Sequence, residues 1–397
     1  MKKTLLAAAL LTGFAGAASA QSSVTMYGVL DASVRYQSWN LSPVGSLVTA
    51  EASTSSLAIA SGVLSTSRFG VKGVEDLGSG NQVVWNLESQ INIQDGSNNA
   101  YSPWSRTSIV GVRNDAWGQF DIGRQLGTAF KFAGGPIDSA FNTNVPIINI
   151  SGVIGVTAVR YSNLLMYQSP SLSGFKAALS YSFNTGLNSF RQNPLTGGAT
   201  ADTATGSSFE TGNNMRAATG ALSYTNGPFY GTFTYDRITP AGNTVSGANG
   251  VGVTSWIVAG SYDAKVVKVG AAYSVTSNGF VNGPALSSVS SSSTVVNAYN
   301  AGGVVFADGA KINAYNVNFL IPVGANGRVM AAYQAATNAG TLSDLGYSST
   351  QNTYGLGYQY DFSKRTTGYA IYTYVNNYAN ITGLSGNAAY VGMRHSF

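Results

Sequence analysis

The 397-residue chain has no cysteine and one histidine, and only 9% of its residues are charged. The missing thiols exclude a disulfide framework and a thiolate metal site. The lone histidine, His395, lies two residues from the C-terminus. It leaves no two-histidine metal pattern and no histidine set beside a serine and oriented by a carboxylate. No Walker-type phosphate loop is present, and Gly-X-Gly triplets such as Gly355-Leu356-Gly357 fall inside alternating segments. No catalytic residue, cofactor site or metal site is therefore expected. Soluble proteins carry roughly 25% charged residues; here Gly, Ser, Asn and Thr take up the difference, with 23 tyrosines. A soluble β-sandwich would need a more charged surface. Long apolar runs are missing too. Beyond the N-terminus every apolar stretch is broken by polar residues, and a bilayer-spanning helix needs roughly 20 apolar ones.

What is there begins with a secretory signal over residues 1–20. Lys2 and Lys3 form a positive n-region, Leu5 to Ala17 the apolar stretch, and Ala18-Ser19-Ala20 a small-residue cleavage site. The remaining residues, 21–397, read as one domain starting at Gln21. Loss of Lys2 and Lys3 lowers the formal net charge of +5 by two. Basic residues are scattered singly, apart from Lys364-Arg365, so there is no nucleic-acid footprint.

Period-two alternation dominates the rest. Tyr354, Leu356, Tyr358, Tyr360 and Phe362 oppose Gly355, Gly357, Gln359 and Asp361. Phe229, Phe233 and Tyr235 oppose Tyr230, Thr232, Thr234 and Asp236, and Val83, Trp85 and Leu87 oppose Gln82, Asn86, Glu88 and Gln90. Ala389, Val391, Met393, His395 and Phe397 carry the pattern to the last residue, which builds the C-terminus into a sheet. Apolar and aromatic outside with polar inside is the transmembrane-barrel alternation.

The pattern predicts strands near 24–36, 66–76, 80–91, 104–114, 117–126, 158–169, 173–184 and 215–227. It predicts eight more near 228–238, 253–263, 266–276, 310–321, 326–336, 349–361, 365–376 and 386–397. Short turns rich in Gly, Pro, Asn and Asp alternate with long loops near 37–65, 92–103, 127–157, 185–214, 239–252, 277–309, 337–348 and 377–385. The Ser-rich stretch 287–294 reads as part of one such loop. The fold class expected is all-β: a 16-stranded antiparallel transmembrane β-barrel with short periplasmic turns and long extracellular loops. Barrels of 16–18 strands leave an aqueous channel, whereas small ones fill their interior with side chains.

Three arginines lie on inward rows: Arg68, followed on its row by Gly70 and Lys72; Arg106; and Arg160. Each alone reads as a solvated lumen charge. Together they fall on adjacent or nearly adjacent strands in the extracellular half.

The segment Ser67-Arg68-Phe69-Gly70-Val71-Lys72-Gly73-Val74-Glu75-Asp76-Leu77-Gly78 resembles a strand signature of Gram-negative general porins, particularly the β-proteobacterial and neisserial type. Val24 to Asp31, Gly118 to Gln125 and the terminal Phe397 are similar to other parts of that family's pattern. The resemblance implies a homotrimer of barrels in outer-membrane lipid and lipopolysaccharide. It also implies an inward-folded third loop, here 127–157, and a C-terminal assembly signal, Phe397, read by the barrel-assembly machinery. By position, Arg68, Lys72, Arg106 and Arg160 resemble a basic cluster at the pore constriction, faced by Lys131 and Asp138 of the loop. Arg124 fits a loop-base or subunit-contact role.

This chain departs from the family at that loop, where Asp138 is the sole carboxylate between Asp121 and Asp202. Three or four cations facing one carboxylate imply anion preference in a passive channel for ions and small hydrophilic solutes. The alternative is a substrate-specific channel for organic anions or phosphate, with Phe130, Phe132 and Phe141 adding aromatic contacts. A barrel hydrolase is disfavoured by the isolated His395, and a purely structural or adhesive barrel would need a plugged lumen.

Overall fold

The computed structural model describes residues 23–42, 52–98, 103–137, 160–186, 189–191, 200–202, 214–240, 251–281, 304–340, 349–380 and 382–397. The signal segment, Asp138, Phe141 and the Ser-rich stretch 287–294 lie outside them. The strands run β1 Ser23–Leu41, β2 Ala52–Ser61, β3 Arg68–Gly78, β4 Asn81–Gln90, β5 Thr107–Asn114, β6 Gly118–Leu126, β7 Arg160–Gln168, β8 Phe175–Ser182, β9 Ser189–Arg191 and β10 Thr200–Asp202. They continue β11 Arg216–Asn226, β12 Phe229–Thr239, β13 Val253–Asp263, β14 Lys268–Val281, β15 Val304–Val323, β16 Gly327–Gly340, β17 Gln351–Asp361, β18 Thr366–Asn376 and β19 Leu384–Ser396. Among the described residues one α-helix, α1 Thr128–Ile137, follows β6, and a short 3-10 turn, Tyr378–Asn380, follows β18. No helix among the described residues is long and apolar enough to cross a membrane.

Consecutive strands pair antiparallel, except that β3 pairs with β1 rather than with β2 and that β8 pairs with β11 past the short β9–β10 hairpin; β19 pairs back to β1. The result is the closed 16-stranded barrel, because β2 and β3 share one stave. β2 pairs with the upper half of β1 and β3 with its lower half. All sixteen expected strands are present. β2, β9 and β10 arise inside segments expected to be loop, and β9 also lies parallel to the start of β15.

Side-chain parity sorts the wall into two faces. Phe233, Tyr235, Leu356, Tyr358 and Phe362 stand exposed on the outside, while Thr232, Thr234, Asp236 and Gln359 are buried on the lumen side. Rings on neighbouring strands stack into an outer belt: Trp256 meets Tyr273 edge-on at 5.3 Å, Tyr273 meets Tyr315 at 4.9 Å, and Tyr333 meets Tyr354 at 5.2 Å. Tyr and Trp in such rows suit the membrane–water interface.

The lumen is not uniformly polar. Ile257 and Ala259 on β13, Ala272 on β14, Ala314 on β15 and Ala336 on β16 form an apolar strip, and Ala129 and Ala133 of α1 pack on it with Phe130 alongside. Small side chains on both surfaces let the helix lie close to the wall. Polar ties fix its start: Thr128 Oγ1 lies 2.9 Å from Ser180 Oγ, and the Thr219 hydroxyl donates to Thr128 Oγ1 at 2.6 Å. The Tyr230 hydroxyl donates to the Phe132 carbonyl at 2.7 Å. The inward loop expected at 127–157 thus begins as a helix held against β11–β14.

The seam between the chain ends is closed by the last residue. Gly28 and Phe397 exchange both backbone hydrogen bonds at 3.1 Å. The Phe397 ring lies over Gly28, where any Cβ would collide with it. Covering a strand glycine with a neighbouring ring pins register. Gly28→Val should therefore destabilise the closed barrel by about 1–3 kcal/mol through overpacking, read as a lower temperature for loss of the heat-resistant folded band on gels. An unchanged transition would mean that the ring does not hold the seam.

Candidate pore constriction

Arg68 opens β3, Arg106 directly precedes β5, and Arg160 opens β7. The structure brings all three together around a carboxylate, Glu88 on β4. Arg106 Nε lies 2.6 Å from Glu88 Oε1, and Arg68 Nε lies 3.5 Å from Glu88 Oε2. The Tyr27 hydroxyl adds a donor to Glu88 Oε2 at 3.0 Å and stands 3.0 Å from Asn86 Oδ1. Arg160 Nε donates to the Arg106 backbone carbonyl at 2.8 Å and feels the charges of Arg106, Glu88, Arg124 and Arg68. Lys72 Nζ stands 5.2 Å from the centre of the Tyr27 ring, a cation–π contact that also holds the tyrosine in place.

Glu88 corrects the charge count made from sequence. The cluster is not three or four cations against one loop carboxylate, because two of its arginines share an acid on their own wall. Glu88 belongs to a polar row legible in the sequence, yet its pairing needs the β4–β5 register, which places Thr107 opposite it. Arg394 on β19 was also missed. It lies within electrostatic range of Arg68, and its Nη2 donates to Thr367 Oγ1 at 3.2 Å.

A second intrusion enters the lumen beside this cluster. Between β2 and β3, residues 62–67 leave the wall and fold inward onto Asp31 of β1. Gly62 turns the chain there with φ of 73°. The Ser65 N–H donates to Asp31 Oδ2 at 2.6 Å, the Tyr369 hydroxyl donates to Asp31 Oδ1, and Gly62 N–H donates to the Asp31 carbonyl at 2.8 Å. Asp31 N–H reaches Ser67 Oγ at 2.9 Å, and Ser67 Oγ returns a bond to the Asp31 carbonyl. Val63 and Leu64 are buried by the fold-in. Arg68 Nη1 then donates to Ser65 Oγ and to the Thr66 carbonyl, both at 3.1 Å. The segment is a collar that aims Arg68.

Arg124 is tied to the start of β5 and to β7. Its Nε donates to the Ser105 carbonyl at 2.6 Å and its Nη1 to Ser162 Oγ at 2.8 Å. A register shift between Gly123 and Gln125 falls at its position in β6. Lys131 of α1 turns away from the arginines. Its Nζ donates to Gln125 Oε1 at 2.7 Å and approaches Met166 Sδ at 3.3 Å. Burial pushes its ammonium below the ordinary lysine range, opposed by Asp121 and reinforced by Lys176. Phe132 is buried and Phe130 packs on the alanine strip, so neither is placed as an aromatic rung for a permeating anion.

A closed barrel with an apolar outer wall, an internal helix on one side and a charged cluster on the other defines a transmembrane channel. The Gram-negative porin family model matches residues 7–380, and the chain belongs to that family. An outer membrane porin protein of Bordetella pertussis is 37% identical over 406 residues, spanning 100% of both chains. Among solved structures, an anion-selective porin from Comamonas acidovorans gives a TM-score of 0.64 at 23% identity, covering 95% of this chain and 100% of that one. A trimer form of OmpT from Vibrio cholerae gives 0.58 at 16% identity, covering 95% of this chain and 99% of that one. This protein is therefore a channel of the Gram-negative outer membrane and not an enzyme.

Proposed function

We propose that the channel passes small hydrophilic solutes and ions by passive diffusion with a preference for anions. Arg68, Lys72, Arg106 and Arg160 form its basic wall, and the loop that carries Lys131 and Asp138 forms the facing side. The supporting observation is the charge census around Glu88: one carboxylate neutralises part of a group in which Arg160, Arg124 and Arg394 add further positive charge. Unit charges 4 Å apart interact by about 1 kcal/mol in water and about 4 at an effective dielectric near 20. A tenfold bias needs only about 1.4 kcal/mol. The preference should weaken with salt, since the Debye length is about 10 Å at 0.1 M.

Reversal potentials across a salt gradient in planar bilayers test this. Arg68→Ser with Arg160→Ser should lower the anion-to-cation permeability ratio several-fold. A wild-type channel that prefers cations would overturn the reading. Saturable block by one class of organic anion would favour the substrate-specific alternative instead.

We further propose that residues 1–20 are removed on export and that the mature chain assembles as a homotrimer. The exposed outer rows of β1–β6 are mainly aliphatic (Val24, Met26, Leu30, Val110, Ile122), whereas aromatic rows cover β12–β18. A sector with so few exposed aromatics (Tyr36 among them) suits contact with protein better than with lipid.

A further inference from the structure

Below the constriction the lumen wall carries a second polar row, outside the charge census around Glu88. Val110 and Val112 of β5, Ile122 of β6, Tyr167 of β7 and Leu179 of β8 stand exposed on the outer wall. By parity, Arg113, Gln119, Gln168 and Lys176 face the lumen. Gln82 is opposite Arg113, Arg113 opposite Gln119, and Gln119 opposite Gln168, a continuous cross-strand row. With strands about 4.8 Å apart, the row is about 14 Å long from Gln82 to Gln168. Lys176 extends it onto β8, on the same side of the strand as Ala178, the partner of Gln168. The row lies at the short-turn edge of the barrel. From Thr107, the partner of Glu88, to Arg113 is about 20 Å along β5 at about 3.3 Å per residue.

These side chains line a cavity of about 560 Å³ at the periplasmic mouth. Their mutual hydrogen bonds decide what each presents to it. Arg113 Nε donates to Gln82 Oε1 at 2.7 Å, which leaves the outer guanidinium nitrogens and the Gln82 amide nitrogen as donors. Gln119 Nε2 donates to Asp121 Oδ1 at 2.7 Å, which leaves the Gln119 carbonyl as an acceptor. Gln168 brings one donor group and one acceptor. The ion pairs among the described residues involve Arg68, Arg106 and Arg328, not Arg113 or Lys176. Asp115 stands exposed on the turn at the rim. An inorganic anion uses donors alone and would leave the amide carbonyls unmatched. A ligand that satisfies this lining carries a carboxylate for the cations and hydroxyl groups that donate to the carbonyls of Gln119 and Gln168.

We propose that this row is a binding site for acidic sugars of the hexuronate class, separate from the basic cluster at Glu88. The sugar carboxylate pairs with the Arg113 guanidinium, Lys176 donates to oxygens at the far end, and the ring hydroxyls bridge the amides between them. Several hydroxyls on one rigid ring match acceptors spread along neighbouring strands better than a short flexible acid does. The site rests on the open lumen proposed above and needs no charge bias at the constriction.

Single-channel recording of the intact porin in planar bilayers, with glucuronate added to each side in turn, tests it. Saturable interruptions of the current should appear, with residence times about tenfold or more longer than for glucose, acetate or inorganic phosphate. Arg113→Gln with Lys176→Gln should weaken the block about tenfold or more. Gln119→Leu should shorten glucuronate residence several-fold and leave that of phosphate unchanged. Lys364→Ala with Arg365→Ala, at another periplasmic turn, should show the wild-type block. The heat-resistant folded band certifies each variant. Phosphate or acetate held as long as glucuronate would mark a plain basic lumen and overturn the proposal, as would a wild-type block in the Arg113 and Lys176 double variant. Normal salt conductance without glucuronate block would refute the site alone, whereas a channel that passes no current would remove the open lumen with it.

Discussion

Replacing Glu88 by Gln is expected to raise the anion-to-cation permeability ratio by about two- to tenfold. The side chain keeps its shape and still offers an acceptor to Arg106 and Tyr27, so geometry is conserved while one negative charge disappears. At about 8 Å from a passing ion in a water-filled lumen, that charge contributes about 0.5 kcal/mol. Anions gain and cations lose by this amount, so the ratio responds twice. The measurement is a reversal potential under a tenfold salt gradient, repeated near 1 M salt, where a Debye length of about 3 Å should erase most of the difference. Glu88→Ala serves as the contrast: it removes the charge and also frees Arg106, whose side chain is only 12% exposed, and so should add current noise. A Gln variant with the wild-type ratio would show that Glu88 lies off the ion path. The arginines would then act unscreened, or not at all.

The barrel was legible because a wall between lipid and water forces every second residue to declare its side. Rows such as Tyr354, Leu356, Tyr358 and Tyr360 cannot be mistaken for a helix. β2 escaped notice because its outward row mixes Ser53 and Ser55 with Leu57 and Ile59, a weak alternation. The helix α1 was invisible for a different reason. Thr-Ala-Phe-Lys-Phe-Ala-Gly-Gly-Pro-Ile has poor helix propensity and is held by tertiary packing. A signal for it did exist on the other partner. Ala259, Ala272, Ala314 and Ala336 sit on rows otherwise lined by Ser, Thr, Asn and Gln, and an apolar strip facing water calls for a cover. In the site, the arginines could be found from parity and motif, but their acid could not. A cross-strand partner is fixed by register, and register is a property of the closed sheet rather than of any one strand. The same holds for Asp31, whose neighbour Tyr369 is 338 residues away in sequence.

Asp31→Ala should loosen the collar at 62–67 and enlarge the passage beside Arg68. The substitution removes the acceptor of the Ser65 N–H and of the Tyr369 hydroxyl. Hydrogen bonds to a charged group contribute about 1.5–3 kcal/mol each, so their joint loss is about 3 kcal/mol or more. That corresponds to roughly a hundredfold shift in the local equilibrium between tethered and released segment. The barrel itself should survive, because the β1–β19 and β1–β3 ladders do not depend on the carboxylate. Tyr369→Phe removes one of the two bonds and should give an intermediate effect. Released from Ser65 Oγ and the Thr66 carbonyl, Arg68 gains freedom, which should blur ion selectivity as conductance rises. Single-channel recording and liposome swelling with sugars of increasing size read both consequences. Larger sugars should enter faster through Asp31→Ala than through wild type. If conductance, sugar cut-off and selectivity all stay at wild-type values while the folded band persists, residues 62–67 do not limit the channel and the collar is only a brace for the wall.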